Sequence, residues 1–140
     1  GLNPLALPWM PLSPDCVYHA CDVVLPMLAF LNQLFEWSNI RGSAFPCDLS
    51  ARIPNQAVQL ALLLKTLPCL DQLDKTLGAR LLADLDAEHI LISYPARSLS
   101  GREKGMRQTY SLQFAQLIKG TSFRVREFNF PNEMVFLLSR

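Results

Sequence analysis

Acidic residues that close apolar runs are the first places where this sequence offers chemistry. The run Val17–Asp22 (VYHACD) ends on Asp22, and the short run Ser43–Cys47 is followed at once by Asp48. If both runs are strands, each carboxylate stands at the carboxyl edge of a sheet and can accept hydrogen bonds from ribose hydroxyls. The other reading of Asp22 is a helix N-cap for the segment beginning at Val24, and Asp48 carries the same ambiguity. Lys65 and Thr66 end the strongest strand pattern, Ala57–Leu64 (AVQLALLL), again where open α/β sheets bind ligands. A lysine there can equally snorkel to the surface. Gly1 opens the stretch GLNPLALPW. A glycine turn lets backbone approach a nucleotide-like ligand, but one glycine alone says almost nothing. From Arg97 to Arg107 the bases Arg97, Arg102, Lys104 and Arg107 stand against one acid and suit phosphate contacts, the alternative being a solvated loop.

Other chemistries lack their residues. There is no G-x-x-x-x-G-K-[ST], G-x-S-x-G or H-E-x-x-H motif, and the two histidines sit in or beside strand-like runs. A histidine-activated nucleophile is therefore not expected. Cys16, Cys21, Cys47 and Cys69 form no C-x-x-C pair and lie at no metal-ligand spacing from His19 or His89. They read as free thiols serving as small core hydrophobes in a reducing cytosol, with no metal.

The elements that must position these groups follow from periodicity. Apolar residues Val24, Met27, Leu28, Leu31, Leu34 and Phe35 mark a helix over Val24–Asn39, with Gly42 just beyond its end. Leu70, Leu73, Leu77, Leu81, Leu82 and Leu85 mark one further helix, weakened at Gly78. His89–Tyr94 reads as a buried strand, Pro95–Arg107 as a polar loop, and Thr109–Lys119 as a helix stopped by Gly120. Phe123–Phe130 and Glu133–Ser139 form an antiparallel hairpin through Pro131 and Asn132. This α/β order predicts a parallel sheet with an antiparallel edge, in which Ala57–Leu64 is covered on both faces.

The 140 residues, half of them hydrophobic and 18% charged, are enough for one domain with a buried core and exclude disorder. Mean hydropathy is +0.17. No apolar run reaches the roughly 18 residues of a membrane span, and no signal peptide is visible, so no membrane partner is expected. A net charge of +1 conceals an asymmetry: residues 1–96 carry five basic and nine acidic side chains, residues 97–140 eight and three. A basic C-terminal portion suits a polyanion, although a chance fluctuation among solvated charges reads the same way.

Taken together, GLNPLALPW, YHACD, CDLS, LLLKTLPCLDQLDK, ISYPARSLSGREKGM and FPNEMVFLLSR resemble the aminoglycoside-resistance 16S ribosomal RNA methyltransferases, most nearly their guanine-N7 class, over essentially the whole chain. The resemblance implies a class I, Rossmann-like fold, with S-adenosyl-L-methionine as cofactor and 16S rRNA in the 30S subunit as partner. It also implies a cytoplasmic location and a decoding-site guanine, flipped from its helix, as methyl acceptor. By the same resemblance Gly1 ends the cofactor's glycine turn, Asp22 holds the ribose, and Asp48 with Leu49 flanks the adenine. Lys65 and Thr66 lie beside the cofactor, while Arg97, Ser100, Arg102 and Met106 engage the RNA.

The family's sheet order, 3-2-1-4-5-7-6, begins with a strand and a helical region that this sequence does not include. Residues 1–140 are accordingly expected to be a partial methyltransferase domain whose sheet falls into two halves. The orphan edges would promote self-association. A class I methyltransferase with another substrate, and a non-catalytic fragment of that fold, are the alternative readings.

Overall fold

The structure is a computed structural model that describes residues 1–96 and 105–140. The chain divides into two compact units, Gly1–Arg52 and Ile53–Arg140.

In the first unit a short 3-10 segment, Asn3–Trp9, precedes strand β1 (Tyr18–Asp22), helix α1 (Leu25–Trp37) and strand β2 (Gly42–Pro46). β1 and β2 pair in parallel, with Asp22 opposite Pro46. Leu28, Leu31 and Phe35, one turn or two apart, bury one stripe of α1 against Leu7 and Ala44. The helix ends earlier than Gly42 suggests. Asn39 takes the left-handed conformation at φ 51°. The Ile40 N–H then reaches the Phe35 carbonyl at 2.8 Å and the Asn39 N–H that of Glu36 at 3.2 Å, a Schellman arrangement. Gly42 has a different task as the first residue of β2. A Cβ there would lie 2.0 Å from the Tyr18 carbonyl oxygen, so only glycine lets the two strands approach. The amide of Asn32 covers the outer edge of β2, donating to the Ala44 carbonyl and accepting from its N–H, each at 2.8 Å.

The second unit runs β3 (Val58–Leu64), α2 (Thr66–Leu73), α3 (Leu77–Asp84), β4 (Ala87–Pro95), α4 (Met106–Leu117), β5 (Arg124–Asn129) and β6 (Glu133–Ser139). Its sheet has the order β3-β4-β6-β5, with β3 parallel to β4 and β6 antiparallel to both its neighbours. Among the described residues the strands thus form two separate sheets, of two and of four strands. Ile90, Ile92, Met134 and Leu138 form the fully buried centre. Tyr94, Phe114 and Phe136 pack above it, the two phenylalanine rings stacked at 3.8 Å between centroids.

Three expectations need correction. The single leucine-marked helix is two, because Asp74 turns its carboxylate onto the N–H and hydroxyl of Thr76, both at 2.8 Å, and takes an extended backbone. Local side-chain bonds of this kind compete with the helical ladder without disturbing the leucine spacing. Met106 and Arg107 are helical, in the first turn of α4, and not part of a loop. Finally, β3 is not covered on both faces: Leu63 is buried, but Leu60 and Leu64 are 47% and 37% exposed. Among the described residues no strand pairs the outer edge of β3 or of β1.

Candidate functional site

Asp22 ends β1 with its two carboxylate oxygens assigned to different neighbours. Oδ1 accepts the N–H groups of Val23 at 2.8 Å and Val24 at 3.1 Å, fixing the entry to α1. Oδ2 accepts from the amino group of Gly1. Asp22 is thus not the N-cap of α1, a place taken by Val24 without a side-chain cap; its Oδ1 only ties the two residues that lead into the helix.

Asp48 lies just past β2, in a turn rather than at a helix start. Its Oδ1 accepts the Ser50 hydroxyl at 2.6 Å and the Ser50 N–H at 2.8 Å, and these bonds lower its pKa. The Cys47 N–H donates to the Asp22 carbonyl at 3.0 Å, which ties the two acidic strand ends together. Beside Asp48 an open depression of about 270 Å³ is lined by Val23, Pro46, Cys47, Asp48, Ala51 and Arg52, without Asp22. Leu49 follows in the same turn and is half-buried. Such an arrangement can accept hydrogen bonds from hydroxyls beside an apolar surface, which are the demands of a nucleoside. The sequence pattern Asp-Leu-Ser signals that turn, but Ser50 as the group orienting Asp48 is visible only in the structure.

In the second unit Lys65 stands at the carboxyl end of β3 in the left-handed conformation, φ 56°, immediately before α2. Its ammonium meets the Glu133 carboxylate at 2.6 Å and its N–H donates to the Ser93 carbonyl at 3.1 Å. Sequence reasoning misses Glu133, since nothing local links it to a residue so distant in the chain. Thr66 is the first residue of α2, its hydroxyl directed to the Leu64 carbonyl at 3.5 Å. Ser93 is fully buried with no hydroxyl partner among the described residues.

Of the basic segment, Arg97, Ser100, Arg102 and Lys104 lie outside the described residues. Met106 is half-buried on α4. Arg107 donates to the Asn129 side chain and to the backbone of the β5–β6 turn, so its guanidinium is engaged with the protein itself. The cysteines are free thiols, but only Cys47 is buried. Cys69 is exposed and is no core residue.

The model of the ribosomal RNA methyltransferase family FmrO matches residues 1–137. The chain belongs to this family. Over its whole length it is 31% identical to the 16S rRNA (guanine(1405)-N(7))-methyltransferase of Micromonospora rosea, of which it covers 51%. The chain thus spans about half the length of the curated relatives it matches. The solved structure of the 16S rRNA methyltransferase RmtF, in complex with S-adenosyl-L-homocysteine, superposes with a TM-score of 0.88 at 32% identity, over all of this chain and 53% of that one. The 16S rRNA methylase ArmA gives a TM-score of 0.77 at 29% identity, over 99% of this chain and 69% of that one. The class I, Rossmann-like fold expected from the sequence is therefore the fold of this family member.

Proposed function

We propose that the intact protein carrying this chain transfers a methyl group from S-adenosyl-L-methionine to N7 of a decoding-site guanine of 16S rRNA in the 30S subunit, giving aminoglycoside resistance. The observation that carries this reading is the family match over residues 1–137, to which the acidic strand ends and their depression add a place suited to a nucleoside. Asp22 would hold the ribose hydroxyls, Asp48 and Leu49 would border the base, and Gly1, Lys65 and Thr66 would complete the cofactor's surroundings. Arg97, Ser100, Arg102, Lys104 and Met106 are the proposed RNA contacts.

When bound, S-adenosyl-L-methionine supplies an electrophilic sulfonium methyl, which the free lone pair of guanine N7 can take without losing a proton. No side chain then has to act as a base, and the protein's work is orientation. His19 and His89 bond Ser43 and Ser139 within their sheets, at 3.3 and 2.9 Å. No helix among the described residues is long and apolar enough to cross a membrane, and the cytoplasm, where ribosomes are, is the proposed location.

The test is incubation of purified 30S subunits with the intact protein and radiolabelled S-adenosyl-L-methionine. Label is expected on one guanine of 16S rRNA, which borohydride and aniline treatment then cleaves. Label on another molecule, or none at all, overturns the reading.

A further inference from the structure

We propose that the β5–β6 turn is itself an RNA contact, in which Phe130 stacks on a base and Arg107 is the residue that holds the turn in position. The inference rests on the reading of the intact protein as an RNA methyltransferase. It departs from the expectation that Arg107 binds phosphate.

The turn is fixed from two sides. Arg107 Nη2 donates to the Phe130 carbonyl at 2.7 Å and the Pro131 carbonyl at 3.3 Å, while Nη1 donates to Asn129 Oδ1 at 3.1 Å. The Ala96 N–H, at the end of β4, donates to the Asn132 carbonyl at 2.8 Å. Three consecutive carbonyls, those of residues 130 to 132, therefore accept from Ala96 and Arg107, the residues that flank segment 97–106 in the chain. Within the turn the Phe130 N–H closes onto the Glu133 carbonyl at 2.9 Å. On this anchored backbone Phe130 leaves 52% of its surface exposed. A large aromatic side chain on a restrained turn loses little freedom on binding and offers a flat apolar face.

Its surroundings identify the partner. Arg124, Arg126 and Phe128 occupy alternate positions of β5 and so share one face. The Arg126 guanidinium lies 5.3 Å from the centre of the Phe128 ring. Both arginines are exposed on this edge strand. Two cations followed by an aromatic ring along one strand face, with Phe130 just beyond, match a nucleic-acid chain, whose phosphates follow the charges while unpaired bases stack on the rings. An apolar protein partner would not call for the net +5 of residues 97–140.

In the intact protein, binding to a decoding-region fragment of 16S rRNA and methylation of 30S subunits are measured for Phe130→Ala, Phe130→Trp, Arg107→Ala, Arg107→Lys and the double variant Arg107→Ala with Phe130→Ala. Loss of one base–aromatic stack is expected to weaken binding by Phe130→Ala about 5- to 150-fold, raising KM and sparing kcat, with the salt dependence unchanged. Phe130→Trp should stay near wild type. Both Arg107 variants should weaken binding, because lysine cannot reproduce the three-acceptor fork, and the double variant should be no worse than the weaker single one. Wild-type affinity in Phe130→Ala overturns the proposal, whether or not the Arg107 variants fold. It is equally overturned if Arg107→Ala lowers the salt slope by about one unit while Arg107→Lys restores binding, since Arg107 is then a phosphate ligand. A protein that binds the fragment through Phe130 but methylates no 30S subunit would sink the functional reading and leave this one standing.

Discussion

The carboxyl edge of the β1–β2 sheet and the β5–β6 hairpin both hold charged side chains in place, but over very different chain distances. Asp22 Oδ1 is fixed by N–H groups one and two residues ahead, and Asp48 Oδ1 by Ser50, two residues ahead. Arg107 reaches acceptors 22 to 24 residues away. The acidic edge is therefore preorganised by its own turns and leaves acceptor capacity for a ligand. The basic hairpin depends on tertiary packing, and its arginine is already committed. A cation in a basic segment is thus no guarantee of a free cation, whereas an acid at a strand end can serve the backbone and a ligand together.

The largest effect should come from breaking the acidic edge at its base. Gly42→Ala places a methyl group against the Tyr18 carbonyl, where a Cβ would lie 2.0 Å from the oxygen, and the strands must separate. A cost of roughly 3 kcal/mol is expected, at the upper end of ordinary overpacking. Hydrogen exchange should show the loss in β1 and β2, with the amides of β4 and β6 still protected. Uniform loss across both sheets would mean that the two regions do not differ in this respect.

Next come the two acids themselves. Asp22→Ala should weaken S-adenosyl-L-methionine binding by the intact protein roughly ten- to a hundredfold in calorimetry, and Asp48→Ala should weaken it less. Unchanged affinity in both would remove the acidic edge from the cofactor site. Asp48 also carries a pH signature. The bonds from Ser50 hold its folded pKa below the unfolded value of about 3.9, so its stabilising contribution is complete above that value and is lost as pH falls through the folded pKa. Denaturant midpoints of Asp48→Asn should accordingly fall less steeply than wild type on acidification below about pH 4.

The contrast in chain distance also explains what is legible in the sequence. Strands ending at Asp22 and Leu64 and the hairpin through Pro131 and Asn132 are readable, because apolar runs and turn residues report local structure directly; the division into two half-sheets follows only from the family resemblance. The break at Asp74 is not, since the leucine period passes through it unchanged. Glycine is the commoner helix stop, which points to Gly42 as the end of α1, yet Asn39 takes the left-handed position and Gly42 meets a contact made by β1. Arg107 is readable as a charge but not as a clamp, for its acceptors are backbone carbonyls that no residue identity announces. Glu133 escapes notice because its partner, Lys65, is brought to it only by the tertiary fold.

Lys65 gives the smallest expected effect and the finest distinction between a structural and a ligand-facing charge. Its pairing with Glu133 is short, but Lys65 is 55% and Glu133 34% exposed, so the pair contributes no more than about 1 kcal/mol and less in salt. Lys65 also occupies the left-handed region at φ 56°, where a non-glycine residue costs on the order of 1 kcal/mol. Lys65→Gly removes both terms together, and the midpoint of unfolding should move by less than about 0.5 kcal/mol as they offset. Glu133→Gln removes only the partner and should be slightly destabilising. With stability so little changed, cofactor affinity in these variants isolates the side chain's role. If Lys65 lies beside the cofactor in the intact protein, Lys65→Gly weakens binding several-fold while Glu133→Gln does so only slightly. If the lysine merely ties β3 to β6, both variants bind as wild type, and the ligand-facing part of the site is confined to the acidic edge.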